Sequence, residues 1–118
     1  MLRTPPPEDP PGADPGGPDL RPRLAQIGAQ AGARATFVQF SSAFCAPCRA
    51  TRRVLHDVAQ AVPGVAHVEV DAELHLALVR ELGIHRTPTT LVLDASGREV
   101  GRATGQPTTA HVVQALPS

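Results

Sequence analysis

The 118-residue chain has no lysine, asparagine, tryptophan or tyrosine, only two cysteines, and three aromatic residues, all Phe. Each shortage excludes something. Eleven arginines balance 11 acidic residues, and no basic stripe forms that could neutralise a phosphate backbone, so nucleic acid is not an expected partner. No run of about 18 or more apolar residues is present, so no membrane span is expected. The opening Met1-Leu2-Arg3-Thr4-Pro5 has no apolar signal core. A reducing, cytoplasmic setting is therefore expected, where a close cysteine pair is more often catalytic or metal-binding than structural. Missing Lys and Asn beside abundant Ala, Arg and Pro suggests a GC-rich bacterial genome. With so few aromatics the core must be built mainly of Val, Leu and Ala, and a hydrophobic fraction of 42% suffices for one modest domain.

Proline is plentiful but uneven: eight of 13 fall within the first 22 residues. Residues 1–19 read as a Pro/Gly-rich disordered arm, because such a segment cannot offset its ordering entropy by burial. A solvated tail is the plain reading and a tether the alternative. Residues 20–118 form the expected domain. Asp19 is placed to cap a helix running through Leu24, Ile27 and Ala31 and ended by Gly32. A strand covered on both faces is expected over 35–41. A long helix follows over 45–62, with Val54, Val58, Ala61 and Val62 on its apolar face and Pro63-Gly64 closing it. Next come a strand over 65–71, a helix over 73–82 ended by Gly83, a strand over 89–94, a turn at Ala95-Ser96-Gly97, a strand over 98–104 and a helix over 107–116. Crossover helices imply parallel pairing early and the hairpin an antiparallel pair. The expected class is therefore α/β, with a mixed four-stranded sheet flanked by helices on both faces.

The chemistry concentrates in Phe44-Cys45-Ala46-Pro47-Cys48-Arg49. Cys45 stands where a strand gives way to a helix, so unpaired N–H groups and the helix dipole favour its thiolate. Arg49 is a nearby cation that would tune the pKa further. A free thiol titrates near 8.5, and such surroundings bring it to roughly 3.5–7.5. Positions i and i+3 of a helix share a face, within disulfide reach. Pro47 lies in the first turn, where a helix tolerates it, and stiffens the loop between the sulfurs. A structural staple is disfavoured, since a loop this short removes little chain entropy, roughly 2 kcal/mol if the loop relation is extrapolated. A metal site needs two further ligands, and His56 is the only local candidate, so any metal would have to be shared between chains.

With these runs in view, residues 20–116 resemble the thioredoxin family. The resemblance rests on Phe37-Val38-Gln39-Phe40 leading into Cys45-Ala46-Pro47-Cys48, Val68-Glu69-Val70-Asp71, Leu82-Gly83-Ile84, Thr87-Pro88-Thr89, Gly97 and Gly105. It implies a thioredoxin-like fold, with Cys45 the exposed nucleophile and Cys48 the buried resolving thiol. It implies that Pro88 is cis and packs against the disulfide, whereas the residues alone would favour trans. It also implies that Thr87 and Pro88, with Phe44, Ala46 and Pro47, meet the substrate. The only cofactor would be the Cys45–Cys48 disulfide itself. Departures are clear: Phe44 stands for the usual Trp, Gln39 for a buried Asp and Arg53 for a helix-kinking Pro; the Lys near that Asp has no counterpart, His67 being the nearest alignment; and the family's first strand is missing or is the arm.

The implied activity is thiol–disulfide exchange with disulfide-bearing protein substrates, as a reductant recharged by an upstream reductase, in a monomeric protein. An exported oxidase or isomerase and a non-enzymatic redox sensor are the alternatives. His85, near Thr87, is a candidate for the substrate groove, while His56, His75 and His111 read as surface residues.

Overall fold

The computed structural model describes residues 17–117. Up to position 16 the arm expected over 1–19 lies outside the described residues. Four helices and four strands follow in the order α1 (Arg21–Gln26), β1 (Ala35–Ser41), α2 (Ala46–Ala61), β2 (Val65–Asp71), α3 (Leu76–Leu82), β3 (Thr89–Leu93), β4 (Glu99–Thr104) and α4 (Thr109–Ala115). The strands form one sheet in the order β2-β1-β3-β4. β1 runs parallel to β2 and antiparallel to β3, and β3 pairs antiparallel with β4. This is the mixed, helix-flanked α/β sheet expected from the crossovers and the hairpin.

β1 is central, and all seven of its residues are buried. Alternation along the strand therefore feeds two cores. Val38 and Phe40 join Leu24, Val70, Leu78, Leu91 and Leu93 on the α1/α3 face. Phe37 joins Leu55, Val58, Val92 and Val112 on the α2/α4 face. Gln39 shares Phe37's face by the same alternation, which aims a polar side chain at α2.

The buried stripe of α2 is Cys48, Thr51, Leu55 and Val58, at spacings of three and four. Val54 and Val62 pack at its margin, and Ala61, expected inside, is exposed. The stripe begins nearly two turns earlier than expected because the helix must present Cys48 to the sheet. Thr51 is tolerated there because its hydroxyl donates to the Pro47 carbonyl at 2.7 Å.

Three helices are shorter than their apolar patterns suggest, each for a local reason. α1 stops at Gln26 because Gly28 adopts φ 80°, and the Gly28 and Ala29 N–H groups turn back to the carbonyls of Ala25 and Leu24. These paired bonds close a helix end around a left-handed residue. α3 starts only at Leu76 because Asp71 accepts the Glu73 N–H and holds a turn. Leu74, which falls inside the helix expected over 73–82, consequently lies ahead of α3 and is exposed. α4 starts after Thr108, whose hydroxyl accepts the His111 N–H at 3.1 Å, leaving Pro107 outside.

The β3–β4 turn anchors the start of the domain. Asp94 accepts the Ser96 and Arg98 N–H groups, and the Leu20 N–H donates to the Gly97 carbonyl at 2.9 Å. Gly97 has φ 81°, and a Cβ there would meet Asp19 Oδ1 at 2.2 Å. Conformation and close approach both require glycine. Asp19 accepts from the Arg21 N–H and guanidinium, so it serves the helix start as an ion pair rather than as the cap residue, which is Leu20.

Candidate active site

Cys45 and Cys48 are joined as a disulfide, with Cα atoms 5.1 Å apart. Cys45 is the N-cap of α2 in extended conformation, and its Sγ accepts the Cys48 N–H at 3.2 Å. This N–H at the positive end of the helix, which also reaches the Cys45 carbonyl at 3.1 Å, thus points at the Cys45 sulfur, in the sense the thiolate argument requires. Cys45 is half-buried, whereas Cys48 is 1% exposed. The two sulfurs occupy unequal environments, one reachable and one enclosed.

Around them, Phe44 is fully exposed and adopts φ 57°, and Ala46 and Pro47 are exposed. The Thr87–Pro88 bond is cis. Antiparallel pairing sets Phe40 opposite Thr89, so the segment before β3 lies beside the segment leaving β1. The hydroxyls of Ser42 and Thr87 are 2.9 Å apart and tie the two together. Pro88 is buried, with its carbonyl accepting the Gly105 N–H, and Thr87 is half-buried. Thr87 also lines a groove with Ala72, Leu76, Ile84, His85 and Arg86, which places His85 beside the segment it was expected to join. Arg49 is exposed, one turn into α2, with its backbone N–H on the Cys45 carbonyl.

Two groups of partners escape sequence reasoning because strand register decides them. Gln39 is fully buried, and its Nε2 donates to the Cys48 carbonyl at 2.8 Å. His67 Nε2 lies 2.9 Å from Gln39 Oε1. Secondly, no acidic residue lies between Gln39 and Arg53 in sequence, but parallel pairing brings Glu69 and Asp71 alongside Gln39 and Ser41. Glu69 accepts from Ser41 Oγ and from both Arg52 Nε and an Arg52 terminal nitrogen, each at 2.7 Å. The fork compensates that carboxylate and ties α2 to β2.

These contacts displace two titrations. The Arg52 guanidinium, above all, and the Ser41 hydroxyl hold Glu69 below its ordinary value of 4.5 against the opposing effect of burial. Burial, above all, holds His67 below its ordinary 6.5; Glu69 opposes this, and His56 and Arg52 reinforce it. As pH falls through 6.5, the unfolded chain takes up the histidine proton before the folded one, so stability declines until the lower folded value is passed. For Glu69, stability present above 4.5 is lost as pH falls from there toward its depressed folded value. Thermal midpoints measured against pH should therefore fall in two stages on acidification. His67→Gln should remove the first stage and leave the second.

Among the described residues, no group of three or more His, Cys, Asp or Glu side chains is placed to hold a metal ion. No helix among them is long and apolar enough to cross a membrane.

Comparison with known proteins accords with this geometry. The chain is 32% identical over 68 residues to thioredoxin H-type 1 of Nicotiana tabacum, covering 58% of this chain and 53% of that protein. It thus spans about half the length of the plant relatives it matches. The fold superimposes on mitochondrial thioredoxin 3 of Saccharomyces cerevisiae with a TM-score of 0.65 at 20% identity, covering 82% of this chain and 84% of that one. A mutant thioredoxin from Halobacterium salinarum also gives 0.65, at 19% identity over 70% of this chain and 72% of that one. The family model described as Thioredoxin matches residues 26–118, a span that takes in β1, the cysteine pair and the Thr87–Pro88 segment, and by that extent the chain belongs to the thioredoxin family.

Proposed function

We propose that the protein is a protein-disulfide reductase working through the Cys45–Cys48 dithiol. The observation that carries this reading is the asymmetric disulfide across the first turn of α2: Cys45 reachable and capped by an N–H, Cys48 enclosed. In the reduced protein the Cys45 thiolate attacks one sulfur of a substrate disulfide, forming a mixed disulfide and releasing the other substrate sulfur as a thiolate. Cys48 then loses its proton and attacks Cys45 Sγ. The intramolecular disulfide forms, the bond to substrate breaks, and the second substrate thiol leaves. Two electrons pass to the substrate, and an upstream reductase returns two electrons and two protons to the protein.

Substrates are accessible disulfides in proteins, met by Phe44, Ala46 and Pro47 on one side and Thr87 and Pro88 on the other. Phe44 supports this reading because it is an apolar ring held wholly in solvent next to the nucleophile, where burial against a partner is its available gain. The protein is assigned to the cytoplasm as a monomer, with no cofactor beyond its own disulfide.

The test is turnover. With dithiothreitol as terminal reductant, catalytic amounts of the protein should accelerate reduction of an accessible interchain protein disulfide at least ~10-fold over dithiothreitol alone. No acceleration would refute the proposal.

A further inference from the structure

The layer between α2 and the sheet contains no buried carboxylate among the described residues. Their buried polar side chains are Thr36, Gln39, Ser41, Thr51, Thr89 and Thr90, none of which titrates in the physiological range. Gln39 is committed at both ends of its amide. The Cys48 carbonyl can only accept, so the amide nitrogen faces it. The amide oxygen then faces His67 Nε2 and can itself only accept, so His67 carries a hydrogen on Nε2 in its neutral and charged forms alike. Reversing the amide would set oxygen against oxygen. A directional chain therefore runs from His67 on β2, through Gln39 on β1, to the backbone of Cys48 on α2.

The other titratable or charged groups facing His67 are Glu69 on its own strand and His56 and Arg52 on α2. Glu69 is already engaged by Arg52 and Ser41. His67 is thus tied to the resolving cysteine through a fixed dipole, in a layer where charge is weakly screened.

We propose that Gln39 and His67 are a positioning pair for the resolving thiol, through which a proton on His67 is linked to the redox state of Cys45 and Cys48. The inference rests on the dithiol reading above, but its test requires no substrate. Its sign follows from charge. Reduction replaces a neutral disulfide with a site that carries a Cys45 thiolate, and that negative charge draws the proton onto His67. His67 therefore holds its proton more tightly in the reduced protein. By reciprocity, a protonated His67 favours the reduced, thiolate-bearing form and eases ionisation of Cys48 for the resolving attack. In the oxidised protein burial, above all, holds His67 below its ordinary value of 6.5.

The experiment is a titration of the histidine ring C–H resonances by NMR, in the oxidised protein and after reduction by dithiothreitol. His67→Gln identifies the resonance, since it retains a donor toward Gln39 but cannot titrate. The proton affinity of His67 should be at least ~2-fold higher in the reduced state, and the difference should shrink by half or more in Gln39→Leu. Equal affinities in the two states of the natural protein would overturn the proposal. A difference that persists in full in Gln39→Leu would overturn the place given to Gln39. Should Gln39→Leu not fold, the rate of resolution of a preformed mixed disulfide replaces it: the natural protein should show an inflection at the His67 pKa and His67→Gln should lack it, while matching profiles would overturn the proposal. A chain with no turnover on protein disulfides would refute the function proposed above yet leave the titration difference measurable.

Discussion

Cys45→Ser should lower the protein-dependent part of dithiothreitol-driven disulfide reduction, measured above the rate without protein, by at least ~1000-fold, because a serine hydroxyl does not ionise near neutrality and cannot replace a thiolate in attack on a disulfide. The loss should come without unfolding. Serine is among the favoured N-cap residues, and its oxygen can accept the Cys48 N–H that now reaches Sγ. The proper reference is the reduced natural protein, since the variant also lacks the cross-link, and a link across two intervening residues adds only roughly 2 kcal/mol by extrapolation of the loop relation. Circular dichroism and a thermal midpoint matching the reduced natural protein would place the defect in chemistry. A variant that kept a tenth of the activity would assign the nucleophile elsewhere.

The second large effect is structural. Phe40→Ala should destabilise the domain by about 3–5 kcal/mol, the usual cost of removing a fully buried aromatic ring. Phe40 is wholly buried near the end of β1, among the side chains that join α1 and α3 to the sheet. Small domains have only about 5–15 kcal/mol in hand, so the midpoint in urea should fall by about a fifth or more at unchanged slope. Phe44→Ala is the control within the same residue type. Its ring is fully exposed, and the change should stay within about 0.5 kcal/mol. Equal losses at the two positions would contradict the packing described for β1.

Those two phenylalanines also show what is legible in the chain. The order of helices and strands can be read because each segment has an unambiguous hydrophobic period and most end at Gly or Pro. From that order the mixed sheet follows. CxPC between a strand and a helix, with Thr87-Pro88-Thr89 ahead of another strand, locates the site. Helix lengths are less legible. Apolar spacing continues past Gly28 and begins before Leu76, whereas a left-handed glycine and the Asp71 side chain decide where the helices stop and start. The valine spacing of α2 draws its apolar stripe toward Ala61, because Thr51 does not register as apolar and Leu55 stands outside the valine pattern. The isomer of Pro88 comes from family resemblance, as local residues favour trans.

Least legible are the partners that register creates. Gln39 pairs with His67 and Cys48, Glu69 with Arg52, and Ser42 with Thr87 across 9 to 45 positions of sequence. The spacing of Gln39 and His67 carries no motif. Only the parallel pairing of β1 with β2, which sets Gln39 opposite Glu69 and Phe37 opposite His67, brings an amide and an imidazole together beneath a cysteine.

The division of labour between the two cysteines is tested most directly by trapping. Reduced Cys48→Ser, mixed with a protein bearing one accessible disulfide, should yield a species whose intact mass equals one chain plus one substrate. Peptide mapping should place the link at Cys45, and dithiothreitol should release it. No adduct with Cys48→Ser, or an equal yield of adduct through Cys48 in Cys45→Ser, would contradict the assignment of Cys45 as nucleophile and Cys48 as resolving thiol.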